Sequence, residues 1–429
     1  MWLNDLRNLF ARIIKTRGSV LELLLICIEI INHYRPNKVL IDFYFAIIKN
    51  SNTKTETIYR FLNLERATFE RTLRMSQLSW VILRRYENGR GLKDPHDTER
   101  FLISVAYSED DKLIEKILEM HADLSLRPGL QELMKACLEF HQNDPNWINT
   151  MNASKMQVAS LDRNEIRDSE FLKYTKNFHP QNMYFNHLDQ VNLSKVDEDK
   201  EKIAHQTIGL ISCDLKYFII YSEFFCIHFR KKNSLPLIFI VVLENDSNLV
   251  KFNKVCNRLN KYLAVQVRSR LVKLPNLAIE VTNERFIVAS ELMVEKQSNI
   301  AILDIDVKID FAVTELFVHS ENCLSLPIGW SGVPWARYSA ALMYFPYSNF
   351  SIYFLKLMKE YFSFALKHEP QWTLDQATLT VVVEYVRSNQ IDFQLHDIGL
   401  DLVRHATRNT PLRLRSAKNR AKGDNLCKI

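Results

Sequence analysis

The apolar positions in the first 150 residues recur three and four places apart, which is the spacing of an amphipathic helix. The clearest case is Leu113, Ile114, Ile117 and Leu118, which follow a polar segment at 108–111 that resembles a helix N-terminus. Prolines and glycines interrupt the pattern at short intervals. We therefore predict an all-helical domain over residues 1–150, similar to stacked helical repeats, although no sequence repeat is visible.

The pattern changes after a polar, charged segment, residues 151–205, which we predict to be a linker with surface helices. Short apolar runs then alternate with helical segments. The predicted strands are 207–213, 235–243, 263–270, 277–281, 299–306 and 340–345, and the predicted helices are 215–231, 247–260, 283–295, 350–367 and one that opens at 372. This alternation predicts an α/β domain over residues 206–403, with a Rossmann-like, mainly parallel sheet between helices.

The composition narrows the classes of protein to consider. Hydrophobic residues make up 47% and charged residues 25% of the 429 positions, as in a soluble globular protein. The seven cysteines are scattered, which favours reduced thiols and a cytoplasmic location. Only nine glycines occur, and neither a P-loop nor a dinucleotide-binding motif is present. A nucleotide ligand would therefore need side chains and a metal ion rather than a glycine-rich loop.

The formal net charge of +6 comes from the C-terminal end of the chain. Residues 404–429 form a predicted tail that carries eight lysines and arginines and a single aspartate, so the rest of the chain is close to neutral. A solvated terminus is one interpretation of the tail, and peripheral contact with the inner face of an anionic membrane is another. The near-neutral body gives little reason to expect nucleic-acid binding.

Two carboxylates follow the apolar run that starts at Asn299, namely Asp304 and Asp306. If the strand continued through both, their side chains would point to the same face, because the repeat of a strand is two residues. Carboxylate oxygens are preferred ligands of Mg²⁺ and Mn²⁺. The alternative is a pair of aspartates that cap backbone amides or pair with basic side chains.

Several segments in this order resemble the GT-A glycosyltransferases that use nucleoside-diphosphate sugars. They are the opening strand and turn Ile211–Phe218, the pair Arg285-Phe286, the Asp-x-Asp sequence at 304–306 and the Trp-x-x-Asp-Gln sequence at 372–376. The resemblance covers about residues 205–400 and implies a GT-A fold there. It also implies an enzyme that moves a sugar from a nucleotide donor to a glycan, lipid or protein acceptor, as in polysaccharide biosynthesis.

The same resemblance implies roles for individual residues. Asp304 and Asp306 would hold Mn²⁺ or Mg²⁺ on the donor diphosphate, and Arg285, Asp214, Tyr217 and Asp304 would contact the donor. Asp375 and Gln376 would lie at the reaction centre, where Asp375 would take a proton from the acceptor hydroxyl. Each role has a structural alternative: Asp375 suits the first turn of a helix, Tyr217 a core position, and Arg285 a surface ion pair.

Further features are open to two interpretations. The loop Pro327–Trp335 contains two glycines and two tryptophans, which would suit either a lid over a sugar or a buried turn. His396 and His405 are candidates for an additional metal ligand, but we leave them out of the predicted set. Two other classes compete with the transferase: a helical adaptor with a degenerate α/β domain, and a haloacid-dehalogenase-like phosphatase. An adaptor is favoured if Asp304, Asp306 and Asp375 do not converge.

Overall fold

The structure is a computed structural model, and it describes fifteen parts of the chain. These are residues 45–46, 71–87, 101–102, 105–120, 129–159, 172–179, 181–191, 205–262, 264–271, 277–306, 309, 311–317, 323–328, 333–368 and 373–399. The helices in them are α1 (Arg71–Glu87), α2 (Asp111–Glu119), α3 (Leu130–His141), α4 (Trp147–Ala159), α5 (Gln181–Leu188), α6 (Leu215–Phe229), α7 (Leu249–Leu259), α8 (Leu277–Lys296), α9 (Asn349–Ala365) and α10 (Leu374–Ser388). The strands are β1 (Thr207–Asp214), β2 (Leu237–Leu243), β3 (Val265–Leu271), β4 (Asn299–Leu303), β5 (Cys323–Leu326), β6 (Leu342–Phe345) and β7 (Gln394–Asp397).

The seven strands form one mixed sheet in the order β3-β2-β1-β4-β6-β5-β7. Four neighbouring pairs are parallel, namely β1 with β2, β2 with β3, β1 with β4, and β5 with β7. Strand β6 is antiparallel to both of its neighbours, β4 and β5. This arrangement confirms the predicted α/β fold class with a mainly parallel sheet between helices.

Alternate residues of each central strand enter two different cores, because side chains of a strand alternate between the faces of the sheet. In β1, Leu210 faces the core formed by α8, α9, α10 and the preceding helices, whereas Ile211 faces the core formed by α6 and α7. Strand β2 is buried at every position. Both faces of the sheet are therefore covered, which explains why β2 reads as a continuous apolar run.

The described part of the N-terminal region is helical. Helix α2 begins after Asp110, whose carboxylate accepts a hydrogen bond from the Leu113 amide at 3.1 Å. Asp110, within the polar segment 108–111, is thus the capping residue. The turn before α3 needs Gly129, which has a φ of 87°, and its carbonyl accepts a hydrogen bond from the Ser154 hydroxyl of α4 at 2.6 Å. Residues 1–44 and 47–70 of the predicted helical domain lie outside the described residues.

The segment that we predicted as a linker contains helices that pack on the α/β domain. Tyr184 in α5 is fully buried, and its ring lies 5.2 Å from that of Tyr361 in α9. The Tyr361 hydroxyl in turn donates a hydrogen bond to the Asn177 carbonyl at 2.7 Å. Residues 172–188 are therefore anchored to the α/β part by buried contacts. The predicted domain boundaries themselves stay predictions.

Three details of the predicted strands were wrong. The segment 277–281 is the first part of helix α8, where Ile279, Asn283 and Phe286 are buried at helical spacing. Strand β4 ends at Leu303 instead of continuing to 306. Strands β5 and β7, which have four residues each and pair with each other, were missed; β7 contains a single apolar residue, Leu395, and so lacks an apolar run. None of the described helices is both long enough and apolar enough to cross a bilayer.

Candidate functional site

The candidate site lies where β1 and β4 end. These neighbouring strands run parallel, so their carboxyl ends meet at the same edge of the sheet. Asp214 is the last residue of β1, and Asp304 follows the last residue of β4. In α/β folds this edge is the usual position of a ligand, because the loops that follow the strands leave a crevice there. The sheet topology therefore brings together residues that are 90 positions apart in the sequence.

A buried arginine connects this edge to helix α10. Arg285 projects from α8, and its guanidinium donates hydrogen bonds to Asp304 through Nη1 and to Asp375 through Nη2, the latter at 2.5 Å. The side chain of Arg285 is 5% exposed, that of Asp375 8% and that of Asp304 33%. A planar guanidinium can hold two carboxylates at once, which a lysine ammonium does less well. Asp304 and Asp375 thus converge, and Arg285 lies between them.

Burial and charge oppose each other in this cluster. Burial raises the pKa of Asp304 to about 6, and Asp306 and Asp375 also raise it, although the Arg285 guanidinium lowers it. Burial by itself would lower the pKa of Arg285, but Asp304 and Asp375 outweigh that effect and raise this pKa above its ordinary value. Arg285 therefore stays charged, but it is not the surface arginine of the alternative interpretation: its side chain is 5% exposed, and the nearby Glu284 and Glu291 pair with Arg270 and Lys359 instead.

Asp304 and Asp306 do not lie on a strand, because β4 ends at Leu303. The two-residue repeat of a strand therefore does not place their side chains on the same face. The Asp304 amide still donates to the Ala341 carbonyl at 2.9 Å, but Ile305 and Asp306 lie in a turn. Asp304 and Asp306 are both partly exposed, so they can be reached from solvent. Among the described residues, no group of three or more histidine, cysteine, aspartate or glutamate side chains could hold a metal ion.

The carboxylates of Asp304 and Asp306 nevertheless suit a metal ion that is also bound by substrate phosphates. Mg²⁺ usually keeps several waters and binds through one or two protein carboxylates together with phosphate oxygens of a substrate. Asp306, and the Asp304 oxygen that does not face Arg285, are oxygen ligands of the required type. The donor set therefore suits an ion that arrives with a diphosphate rather than one enclosed by protein ligands alone.

Asp375 and Gln376 lie in the first turn of α10. Both oxygens of Asp375 accept hydrogen bonds. Oδ2 accepts one from Arg285, and Oδ1 accepts one from the backbone amide of Gln376 at 2.9 Å. This matches the helix-turn alternative, in which a carboxylate is stabilised by the positive end of the helix dipole. The side chain of Gln376 is partly exposed. Each carboxylate oxygen carries a second lone pair, so these two hydrogen bonds leave sites for a further donor such as a hydroxyl.

The residue before α10 has a strained backbone. Thr373 has a φ of 79°, in the left-handed region that β-branched residues rarely adopt. Its hydroxyl oxygen accepts a hydrogen bond from the side-chain amide of Asn177 at 3.5 Å. Asn177 is fully buried, and its backbone carbonyl accepts a hydrogen bond from the Tyr361 hydroxyl. The predicted linker thus contributes a side chain that contacts the residue two positions before Asp375, and nothing in its sequence pattern indicated this contact.

Asp214 and Tyr217, which we predicted to contact the sugar donor, both make structural contacts. The Asp214 carboxylate caps helix α6 by accepting a hydrogen bond from the Tyr217 amide at 2.6 Å. The ring of Tyr217 is partly buried and lies 5.3 Å from that of Tyr221. Both residues are at the same edge of the sheet as Asp304, because α6 starts where β1 ends. Their contact with a donor stays a prediction.

Hydrogen bonds hold the start of the loop at Pro327 and Ile328 to Ser339 and Asp397. The Ile328 amide donates to the Asp397 carboxylate at 2.9 Å, and the Ser339 amide donates to the Pro327 carbonyl at 2.9 Å. Trp335 is buried, which agrees with the buried-turn interpretation for this tryptophan. Trp330 lies outside the described residues, as do His405 and the basic tail.

His396 lies in β7, where its Nδ1 is 3.5 Å from the Ser325 hydroxyl of the neighbouring strand β5. This contact joins two neighbouring strands, and the omission of His396 from the predicted metal ligands stays a prediction.

The solved structures that are similar to this chain at low sequence identity include two glycosyltransferases. One is the galactosyltransferase LgtC in complex with donor and acceptor sugar analogues, with 13% identity and a TM-score of 0.29, covering 41% of this chain and 70% of that chain. The other is the bifunctional glycosyltransferase WbbM, with 12% identity and a TM-score of 0.31, covering 57% of this chain and about half (51%) of that chain. No protein-family model matches the sequence, and no curated protein matches it.

Proposed function

We propose that the chain is a glycosyltransferase that uses a nucleoside-diphosphate sugar and Mn²⁺ or Mg²⁺, with a glycan, lipid or protein as acceptor. The observation that supports this proposal is the convergence of Asp304 and Asp375 on the buried Arg285 at the carboxyl edge of the sheet. A non-catalytic adaptor has no need for a buried arginine at this edge. Buried ion pairs carry a desolvation cost, so such a cluster is more typical of a functional site.

In this proposal the chain binds the donor through its acidic edge. Asp306 and the free oxygen of Asp304 would hold the divalent ion, which would neutralise the charge of the diphosphate as it leaves. Arg285 fixes the position of Asp304 and keeps it ionised near neutral pH, against the effect of burial. The side-chain amide of Gln376 is partly exposed and is available to donate a hydrogen bond to the substrate.

Asp375 would act in one of two ways. As long as Arg285 and the Gln376 amide occupy its two oxygens, it positions the arginine. A role as the base requires that the acceptor hydroxyl reaches one of the remaining lone pairs of this buried carboxylate when the substrates bind. An Asp375→Asn variant separates the two roles, because asparagine keeps an oxygen for Arg285 but cannot accept the proton. Loss of kcat with an unchanged KM would indicate the base, whereas a changed KM would indicate positioning.

The proposal is tested by measuring turnover of a panel of uridine, guanosine, thymidine and cytidine diphosphate sugars with and without Mn²⁺. We expect turnover of at least one donor, dependent on the metal, and a decrease of about a hundredfold in Asp306→Asn. The matched control is Asp392→Asn, which changes an exposed aspartate beyond the end of α10. If no donor is bound or hydrolysed in the presence of either metal, or if both variants behave alike, the proposal is wrong.

A further inference from the structure

Helix α6 exposes apolar side chains on its outer surface. Ile219, Ile220 and Ile227 are 41%, 38% and 44% exposed, although the opposite side of the helix is buried against the sheet. Ile220 and Ile227 are seven residues apart, which places them on the same face two helical turns from each other. The outer face of a helix on a sheet is normally polar, so three exposed isoleucines on α6 are unusual. Among the described residues, none covers this face.

The neighbouring helix α7 extends the same surface. Helices α6 and α7 lie on the same face of the sheet, and the rings of Phe218 and Phe252 lie 5.9 Å apart between them. The outer side of α7 carries Val250, which is 79% exposed, and the exposed residues Lys251 and Lys254. We refer to the outer sides of α6 and α7 together as the α6–α7 surface.

Positive charge surrounds the apolar residues. Lys216 lies one turn before Ile220, Lys231 follows Ile227 by four positions, and both are exposed. Neither these two lysines nor Lys251 and Lys254 form an ion pair with a described residue. The acidic residue of the two helices, Glu223, is already paired with Lys261. The α6–α7 surface is therefore apolar at its centre, and its uncompensated charges are positive.

We propose that the α6–α7 surface binds the surface of an anionic lipid bilayer. Apolar side chains in the headgroup region, together with lysines near anionic lipids, are the combination that holds a protein at a membrane without crossing it. An exposed apolar patch also suits a protein partner, but interfaces between proteins are depleted in lysine. This contact is distinct from the basic tail, and it does not depend on the proposed transferase activity.

The position of the surface has a consequence for the candidate site. Helix α6 starts at the carboxyl end of β1, next to the edge that carries Asp304. Binding through α6 would therefore hold that edge of the sheet near the lipid headgroups. An acceptor attached to a lipid would be presented at this edge.

The test is co-sedimentation of the full chain with phosphatidylcholine vesicles that contain or lack phosphatidylglycerol. We expect binding to the anionic vesicles that weakens with salt, and a decrease of about tenfold in Ile220→Asp or Ile227→Asp. The double variant Lys251→Glu/Lys254→Glu should bind at least about tenfold more weakly, because each lysine near an anionic surface contributes about fivefold. The matched control is Val294→Asp in α8, which changes a similarly exposed valine on the other side of the sheet.

Three outcomes would overturn the proposal. The first is binding to anionic vesicles that is the same for wild type and all surface variants, which would assign it to the tail. The second is absence of vesicle binding with a concentration-dependent dimer that the isoleucine variants dissociate, since the surface would then meet a second copy of the chain. The third is a loss of vesicle binding in Val294→Asp as large as that in Ile220→Asp, because the effect would then not be specific to the α6–α7 surface. Thermal unfolding of each variant checks that the exposed substitutions leave the fold intact.

Discussion

Replacement of Arg285 by methionine tests the charge network at the centre of the candidate site. The substitution keeps a long, apolar side chain in the space of the arginine stem but removes the guanidinium. Asp375, whose side chain is 8% exposed, then keeps a single hydrogen bond from the Gln376 amide and has no countercharge. Asp304 is 33% exposed, so water can solvate it in place of the arginine. The cost should therefore arise chiefly from Asp375.

The expected magnitude follows from this difference in exposure. Removing one partner of a buried ion pair costs about 3–5 kcal/mol, because the remaining charge is left without compensation. An ion pair with a partly solvated partner contributes about 1 kcal/mol or less. We therefore expect Arg285→Met to lower the free energy of unfolding by about 3–5 kcal/mol, and Asp304→Asn to lower it by about 1 kcal/mol or less.

Urea denaturation followed by circular dichroism measures both values. The matched control is Arg337→Met, which removes an arginine whose pair with Glu109 has both side chains 32% exposed, and we expect a loss below about 1 kcal/mol. Adding Asp375→Asn to Arg285→Met should recover most of the loss, because the uncompensated charge is then removed as well. The reasoning is refuted if Arg285→Met and Arg337→Met destabilise the protein equally.

Three other substitutions test the contacts that hold the fold. Burial raises the pKa of Glu284 to about 6 from its ordinary 4.5, so the folded state binds this proton more tightly and loses stability as the pH rises through that interval. Between about pH 4.5 and about pH 7.5, the wild type should lose about 2 kcal/mol more than Glu284→Gln in urea unfolding, because other groups such as Asp304 titrate in both proteins; equal pH dependence would contradict the assignment. Asp214→Ala should lower the free energy of unfolding by about 1 kcal/mol through loss of the helix cap, and Asp214→Ser should keep most of it. Tyr361→Phe leaves the buried Asn177 carbonyl without its hydrogen bond and should cost about 1–3 kcal/mol in thermal unfolding; a change near zero would mean that the helical segment is not anchored there.

Local patterns in the sequence predicted a large part of the α/β domain. The apolar run of β2 is buried at every position, as expected for a strand covered on both faces. The order of strands and helices from β1 to β3 follows from the alternation of such runs with helical spacing. The strand predicted at 277–281 shows the limit of this reasoning, because a short apolar run has the same pattern in a buried strand and in the buried side of a helix.

The candidate site was predicted only in part. The sequence indicated Arg285, Asp304 and Asp375 as separate candidates, but it did not show that the arginine joins the two acids. It also gave no signal for Asn177 and Thr373, whose hydrogen bond spans 196 positions. Such contacts depend on where helices pack, and side chains far apart in the chain leave no local pattern that records their contact.

The sequence alone therefore determined which residues could form strands and helices, since the spacing of apolar side chains reflects the local geometry of each element. Tertiary structure decided which of these elements became neighbours. It placed β1 beside β4, ended β4 before the first acid and buried one arginine between two carboxylates. The electrostatics of the site follow from that burial, because the same charges on a solvated surface would interact weakly.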